Sequence, residues 1–329
     1  MKTAARASMP KKVFLSLKYP QLAIDMLEKA GFNITINKSN NPIPQDELIN
    51  ICKEHDALLS TGSNKIDAYF LEQCKHIDII SQFAVGYDNI DVQAAKKNGI
   101  VIGNAPGAMT EATADVAFGL MIMVSRKMVH MHKTIEKGLW NHFVPTANLG
   151  FQLDGKTLGV FGLGTIGSVM AKRCKAAYGM NIIYHNRSKN QEAEEKLGAQ
   201  YVSFDELLTQ SDIISVHCNL TEETKGVFNK EAFNRMKNSA IFINTSRGGV
   251  HTETDLIEAL KNGSIWGAGL DVTDPEPMQP DNPLLQMENV AVLPHIGSST
   301  VEARNEMARM SAQNIIDFYK TGTLPYPVH

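Results

Sequence analysis

"GVFGLGTIGSVMAKRC", Gly159 to Cys174, sets three glycines, Gly162, Gly164 and Gly167, directly after a strand-type run and at the mouth of a helical stretch. The first glycine permits a tight turn, and the second lets a ligand approach the backbone. The third lets helix and strand pack closely. A helix start also carries N–H groups with no partner in the helix, which favour an anion. Glycines in this pattern arise often for structural reasons alone. Here strand, loop, helix and next strand follow in order, and that order predicts a dinucleotide with its pyrophosphate on the loop.

The next strand ends in "IIYHNRSKN". A site for NAD normally has an acid about there to accept from both ribose hydroxyls. This chain offers Asn186, Arg187, Ser188 and Lys189 instead. A 2′-phosphate would meet a guanidinium, a hydroxyl and an ammonium, all charge-assisted or neutral donors. Arg and Lys also populate any solvated loop, so position is the deciding feature. It predicts NADP(H) as the preferred cofactor, with NAD(H) use still open.

Outward from the loop, β-type runs alternate with helical stretches along nearly the whole chain, the signature of parallel α/β architecture. "VFLSL" (Val13–Leu17), "NITI" (Asn33–Ile36), "ALLS" (Ala57–Ser60), "IDII" (Ile77–Ile80) and "IVIG" (Ile100–Gly103) form a first series. A long helical pattern follows from about Thr110 to Lys137. The second series is "LGVFG", "NIIYH", "DIISVH", "AIFINTS", "WGAGLDV" and "VAVLP", closed by a helix from about Thr300 to Tyr319. The prediction is two Rossmann-like domains, each a doubly wound parallel sheet, with a cleft between them.

Composition agrees. At 329 residues the chain can bury two cores, and 43% hydrophobic with 20% charged residues is ordinary for a soluble protein. A net charge of −3 without a basic block gives nucleic acid no purchase. No run approaches the roughly 20 apolar residues of a membrane span. The opening "MKTAARASMPKK" is basic but lacks the apolar core of a secretory signal, so the expected location is cytoplasmic. Four scattered cysteines, Cys52, Cys74, Cys174 and Cys218, read as reduced thiols.

In doubly wound sheets ligands bind beyond the carboxyl ends of the strands. Three late strands end in polar groups: "IFINTSRGG" in Arg247, "GAGLDVTDPEP" in Asp271 with Glu276 in the proline turn after it, and "VAVLPHIGSST" in His295. Each alone has a plain explanation as a surface arginine, a capping aspartate, a loop glutamate or a satisfied histidine. Together they fit one reaction, the reduction of a 2-oxo acid. Arg247 supplies planar recognition of an anion. His295 supplies a proton near neutrality. Glu276 favours the imidazolium and orients the ring, and Asp271 could accept from a nicotinamide carboxamide.

These motifs carry a resemblance. With "QFAVGYDNID" (Gln82–Asp91), "FGLGTIG", "NTSRGG", "GLDVTDPEP" and "PHIGSST" in the same order, the chain from about Val13 resembles the D-isomer-specific 2-hydroxyacid dehydrogenases, and within them the glyoxylate/hydroxypyruvate reductases. The resemblance implies that Arg247, Glu276 and His295 are catalytic, and that Arg247 and His295 also touch substrate. It implies that the Val85 and Gly86 amides hold the substrate carboxylate. It places Gly162, Leu163, Gly164, Thr165, Ile166, Arg187, Ser188, Lys189, Leu220, Thr245, Ser246, Asp271 and Gly297 at the cofactor. It divides the chain into a substrate domain, residues 1–104 with 297–329, and a cofactor domain, residues 105–296. It also implies a homodimer through the helix near 110–137 and the loop after it.

His130 and His132 are two apart on a predicted helix, so they do not share a face, and no metal site is expected. Adjacent His217 and Cys218 point to opposite sides of a strand and make a poor nucleophilic pair. Formate dehydrogenase relatives pair the histidine with glutamine, which Glu276 argues against. Two alternatives stay open: another D-2-hydroxyacid dehydrogenase of the D-lactate type, and a dinucleotide-sensing corepressor-like binding protein.

Overall fold

Residues 10–39 and 41–328 are described by a computed structural model. The basic opening, residues 1–9, lies outside them. Short apolar strands with helices between them bury both faces of a sheet, so each reads as a near-continuous apolar run. In the first unit β1 (Lys12–Leu15), β2 (Asn33–Ile36), β3 (Ala57–Ser60), β4 (Ile79–Gln82) and β5 (Val101–Gly103) form a sheet in the order β2-β1-β3-β4-β5. Every pairing is parallel. β3 and β4 are buried at all four residues. The intervening helices are α1 (Gln21–Lys29), α2 (Gln45–Cys52), α3 (Ala68–Gln73) and α4 (Val92–Lys97). The C-terminal helix, Val301–Thr321, packs onto this sheet, capped by the Thr300 hydroxyl on Ala303 N–H. β4 begins two residues later than "IDII" suggests, because the Ile77 N–H is taken by the Cys74 carbonyl in a turn.

The second unit opens with α5 (Thr110–Ser125) and α6 (Met128–Glu136). Then come β6 (Thr157–Phe161), α7 (Thr165–Tyr178), β7 (Asn181–His185), α8 (Gln191–Leu197), β8 (Gln200–Tyr201), α9 (Phe204–Gln210) and β9 (Ile213–Val216). α10 (Lys230–Arg235), β10 (Ile241–Asn244), α11 (Glu253–Asn262), β11 (Gly267–Leu270) and β12 (Val290–Val292) complete it. The sheet order is β12-β11-β10-β9-β6-β7-β8, again parallel throughout. Strand order reverses between β6 and β9, the place where such sheets bind ligands.

Two expectations differ from the structure. The single helix over 110–137 breaks at Lys127, which has a left-handed φ of 52°. The break lies outside local sequence signals: the Ser125 carbonyl accepts from Phe151 N–H, and Lys127 pairs with Glu288 at 3.4 Å. The unit boundaries fall at 109/110 and 298/299 rather than 104/105 and 296/297. Ala105 donates its N–H to the Ala84 carbonyl and, with Ala108 and Met109, packs into the first unit's core. Gly297 is bonded to Asp271 and Thr113 of the second.

Candidate active site

The glycine loop sits at the β6–β9 reversal. Gly162 has φ 97°, and a β-carbon on it would lie 2.6 Å from Cys218 N. Only glycine tolerates both the backbone and the neighbour. A β-carbon on Gly167 would lie 2.7 Å from the Gly162 carbonyl oxygen, so the third glycine lets α7 close on the loop. A β-carbon on Gly164 would meet nothing within 4 Å, leaving open space at the first turn of α7. Thr165 is exposed and Ile166 half-buried beside it, whereas Leu163 is buried. The Leu163 N–H donates to Asn186 Oδ1 at 2.6 Å, and its carbonyl accepts from Asn190 Nδ2 at 2.9 Å. Asn186 occupies the strand end where an acid would face a ribose and spends its amide on the loop. Nothing in the local sequence marks Asn186 for that bracing role. Arg187, Ser188 and Lys189 are all exposed, with the Lys189 ammonium 5.7 Å over the Tyr201 ring.

At the ends of β10, β11 and β12, which are hydrogen-bonded neighbours, stand the other candidates. Arg247 follows β10, half-buried, with Nη1 donating to the Ser246 carbonyl at 2.8 Å. Glu276 lies in the turn after β11, where both Asp274–Pro275 and Glu276–Pro277 peptides are cis. His295 Nδ1–H donates to Glu276 Oε2 at 3.0 Å, and the side chains are 48% and 40% exposed, so solvent or a ligand can reach them. The other Glu276 oxygen accepts from Thr273 N–H at 3.1 Å. Burial pushes the Glu276 carboxyl up. The His295 hydrogen bond and charge, the Thr273 N–H and the Arg247 charge outweigh it, and the carboxyl titrates below its ordinary range. The structure thus brings Arg247, Glu276 and His295 together on one unit.

Asp271 directly follows β11. It is 1% exposed, and its oxygens accept from Ile296 N–H at 2.8 Å and Gly297 N–H at 2.7 Å. Burial raises its pKa, and the two N–H donors and His295 offset part of that rise. Its carboxylate is committed to shaping the segment that carries His295.

A second group lies under Arg247. Buried Asn244 accepts from Ser246 N–H and Oγ–H at 3.0 and 2.9 Å and donates to the Arg247 carbonyl at 2.9 Å and to His251 Nδ1 at 3.1 Å. His251 Nε2 has no partner among the described residues, and burial lowers the ring's pKa to about 4. Thr245 Oγ1 lies 3.5 Å from His217 Nδ1, and Leu220 packs near Gly249. His217 is likewise lowered to about 4 by burial, and Cys218 is raised to about 12, chiefly by burial. A thiol held neutral beside a neutral imidazole is a poor nucleophile. Asn244 and His251 were not legible as site residues, although an amide three residues before a turn arginine is the available signal.

In the first unit the carboxyl ends of β3 and β4 carry a braced pair of turns. Ser60 Oγ donates to Gln82 Oε1 at 2.6 Å, Gln82 Nε2 to Asn89 Oδ1 at 2.8 Å, and Asn89 Nδ2 to the Asn64 carbonyl at 2.7 Å. The Ala84 and Val85 carbonyls are taken by Ala105 N–H and Asn104 Nδ2. The Val85 and Gly86 N–H groups donate to no described residue. A turn with its carbonyls held and two N–H groups unspent suits a carboxylate.

Elsewhere, His130 and His132 lie on α6 beside different carboxylates, Glu288 and Glu136. Among the described residues no group of three His, Cys, Asp or Glu could hold a metal ion, and no helix is long and apolar enough to cross a membrane. The four cysteines are free.

A glycine loop at a strand reversal and an Arg–Glu–His set along the neighbouring strand ends define a nucleotide-dependent oxidoreductase. Residues 118–297 match the family described as D-isomer specific 2-hydroxyacid dehydrogenase, NAD binding domain. The chain is 44% identical over 321 residues to the glyoxylate reductase of Thermococcus litoralis, covering 96% of both. It superimposes on a glyoxylate reductase from Paecilomyes thermophila with a TM-score of 0.86 at 33% identity, covering 97% and 98% of the two chains. It also matches the NADPH-dependent glyoxylate/hydroxypyruvate reductase of Sinorhizobium meliloti, solved with NADP and malonate, with a TM-score of 0.84 at 29% identity, covering 98% and 97%. The chain belongs to the D-isomer-specific 2-hydroxyacid dehydrogenase family. It is an NAD(P)-dependent oxidoreductase that interconverts a 2-oxo acid and its 2-hydroxy acid.

Proposed function

We propose that the chain reduces short 2-oxo acids, glyoxylate and hydroxypyruvate, to D-2-hydroxy acids, with NADPH preferred over NADH. The observation that carries the chemistry is the His295–Glu276 contact at 3.0 Å, on the strand-end edge of the same sheet as the open glycine loop. Open space at Gly164, the free first turn of α7 and three exposed donors after β7 fit a phosphorylated dinucleotide. When bound, it supplies the hydride.

The chain's own residues do the rest. On the first unit the Val85 and Gly86 N–H groups are assigned to the substrate carboxylate; on the second, Arg247 is assigned planar recognition of an anion. His295 holds a proton at Nε2 and passes it to the substrate oxygen as charge develops there. Glu276, ionised and hydrogen-bonded to Nδ1–H, fixes the tautomer and stabilises the imidazolium. Asp271, Thr245, Ser246, Leu220 and Gly297 frame the cofactor side.

The names of the relatives, a glyoxylate reductase and an NADPH-dependent glyoxylate/hydroxypyruvate reductase, support this reading, as do the small polar residues of the β3 turn, where Thr61 Oγ1 and Ser63 Oγ are 2.7 Å apart. The test compares kcat/KM for glyoxylate, hydroxypyruvate and pyruvate, each with NADPH and NADH, at 340 nm. Glyoxylate or hydroxypyruvate with NADPH should lead. Preference for pyruvate would indicate the D-lactate type, and no absorbance loss with any pair would indicate a dinucleotide-sensing binder. We also propose a homodimer through α6 and the arm after it, where Leu139, Trp140 and Phe143 stand exposed, Phe143 by 85%. Light scattering at twice the chain mass checks this.

A further inference from the structure

His295 has a left-handed backbone, φ 52°. A residue with a β-carbon stays in that region only when its surroundings over-determine it. Three of the restraints come from one strand end. His295 N–H donates to the Asp271 carbonyl at 2.9 Å, and the Asp271 carboxylate takes the next two N–H groups, Ile296 and Gly297. The fourth comes from a different element. Thr113, in the first turn of α5 and 4% exposed, donates its hydroxyl to the Gly297 carbonyl at 3.0 Å, across 184 residues of sequence.

A helical threonine usually returns its hydroxyl to a carbonyl one turn earlier. Thr113 is the fourth residue of α5, and its hydroxyl leaves the helix. Packing agrees with the bond: a β-carbon on Gly297 would lie 3.1 Å from Asp271 Oδ2 and 3.3 Å from Thr113 Cγ2. Gly297 is therefore gripped on one side by the carboxylate and on the other by the threonine. The segment between that grip and β12 is short, and it contains the imidazole.

We propose that Thr113 is a positioning residue of the reductase, whose hydroxyl fixes Gly297 and so holds the His295 turn in register with Glu276. This rests on the reading of His295 as proton donor. Without the hydroxyl, the Gly297 carbonyl is left buried and unpaired, and the turn gains freedom to relax toward ordinary backbone. The imidazole then spends part of its time away from the carboxylate, while the glycine loop and the donors after β7 are untouched.

The test uses the full chain as Thr113→Val, which swaps the hydroxyl for a methyl of the same shape, and Thr113→Ser, which keeps it. His295→Asn serves as control. Three quantities are read: kcat and KM for glyoxylate, the NADPH Kd, and the ring 15N shifts of His295 in cofactor-free protein, which report its tautomer. Thr113→Val should lower kcat about tenfold with the NADPH Kd changed less than about twofold. At a pH where the ring is neutral, its His295 shifts should move from the Nδ1–H tautomer toward a mixture of the two. Thr113→Ser should restore both.

Three results would overturn the proposal: kcat in Thr113→Val within about twofold of wild type, Thr113→Ser as impaired as the valine variant, or a loss of NADPH affinity that matches the loss in kcat. If the valine variant does not fold, Thr113→Ala against Thr113→Ser makes the same comparison. Should wild type fail to reduce any 2-oxo acid, the functional reading falls, and the nitrogen shifts still decide whether Thr113 holds the ring.

Discussion

Arg187→Ala separates the two cofactors by the one group that distinguishes them. Arg187 follows β7, is exposed, and comes directly after Asn186, which stands where an acid would face a ribose; its charge also lowers the pKa of Glu223. A hydrogen bond to a charged group contributes about 1.5–3 kcal/mol net. Solvent surrounds Arg187, Ser188 and Lys189, so the lower end applies, about 1.5–2 kcal/mol. That converts to a tenfold to thirtyfold rise, roughly, in KM for NADPH. NADH lacks the 2′-phosphate and its KM should hold within about twofold. Steady-state assays at 340 nm with saturating glyoxylate read both. The gap between wild type and variant should narrow at high salt, since screening shortens to about 3 Å at 1 M. An equal rise for the two cofactors, or wild type favouring NADH more than about tenfold, would refute the assignment of this loop to a 2′-phosphate.

Two glycines of one loop should behave differently. Gly162→Ala meets Cys218 N at 2.6 Å in a left-handed backbone, and the strain alone should remove about 1–3 kcal/mol of stability, read as a lower urea midpoint. Gly164→Ala has room in the protein, so its midpoint should match wild type while its NADPH Kd rises; unchanged affinity would contradict a phosphate at that turn. Stability should also fall in mild acid. An ordinary histidine takes a proton near pH 6.5, whereas burial lowers His251 to about 4. Between those values the unfolded chain binds the proton and the folded chain does not, so the native state loses about 2 kcal/mol by pH 5 and about 3 below pH 4. His217 acts with the same sign. Urea midpoints at pH 7.5 and 5 check this, and His251→Gln should flatten the difference; an equal slope in the variant would count against it.

The parts legible in sequence were those that local chemistry dictates. Two glycines between strand and helix, with a third in the first turn of the helix, announce the β6–α7 turn, and alternating apolar runs announce two parallel sheets, because a strand covered on both faces has no polar side to show. Arg247, Glu276 and His295 stood out as candidates because each lies in the turn that follows a strand. What stayed hidden depends on distant partners. No glycine or proline marks the break at Lys127; a carbonyl claimed by Phe151 makes it. Asn186 reads as a missing acid, yet its amide is spent on Leu163. Nothing in the sequence around Asp271 announces that its carboxylate bonds the two amides after His295. Thr113 looks like any helical threonine until its hydroxyl is found on Gly297, 184 residues on.

The central claim is that His295 delivers the proton that completes reduction of a 2-oxo acid. Its most direct test is the single-turnover loss of 340 nm absorbance when NADPH-loaded protein meets glyoxylate, in wild type and in His295→Asn with NADPH affinity measured alongside. Wild type should lose absorbance rapidly and the variant at a rate lower by about 10²–10⁴-fold, at unchanged affinity. A variant that turns over at close to the wild-type rate would contradict it.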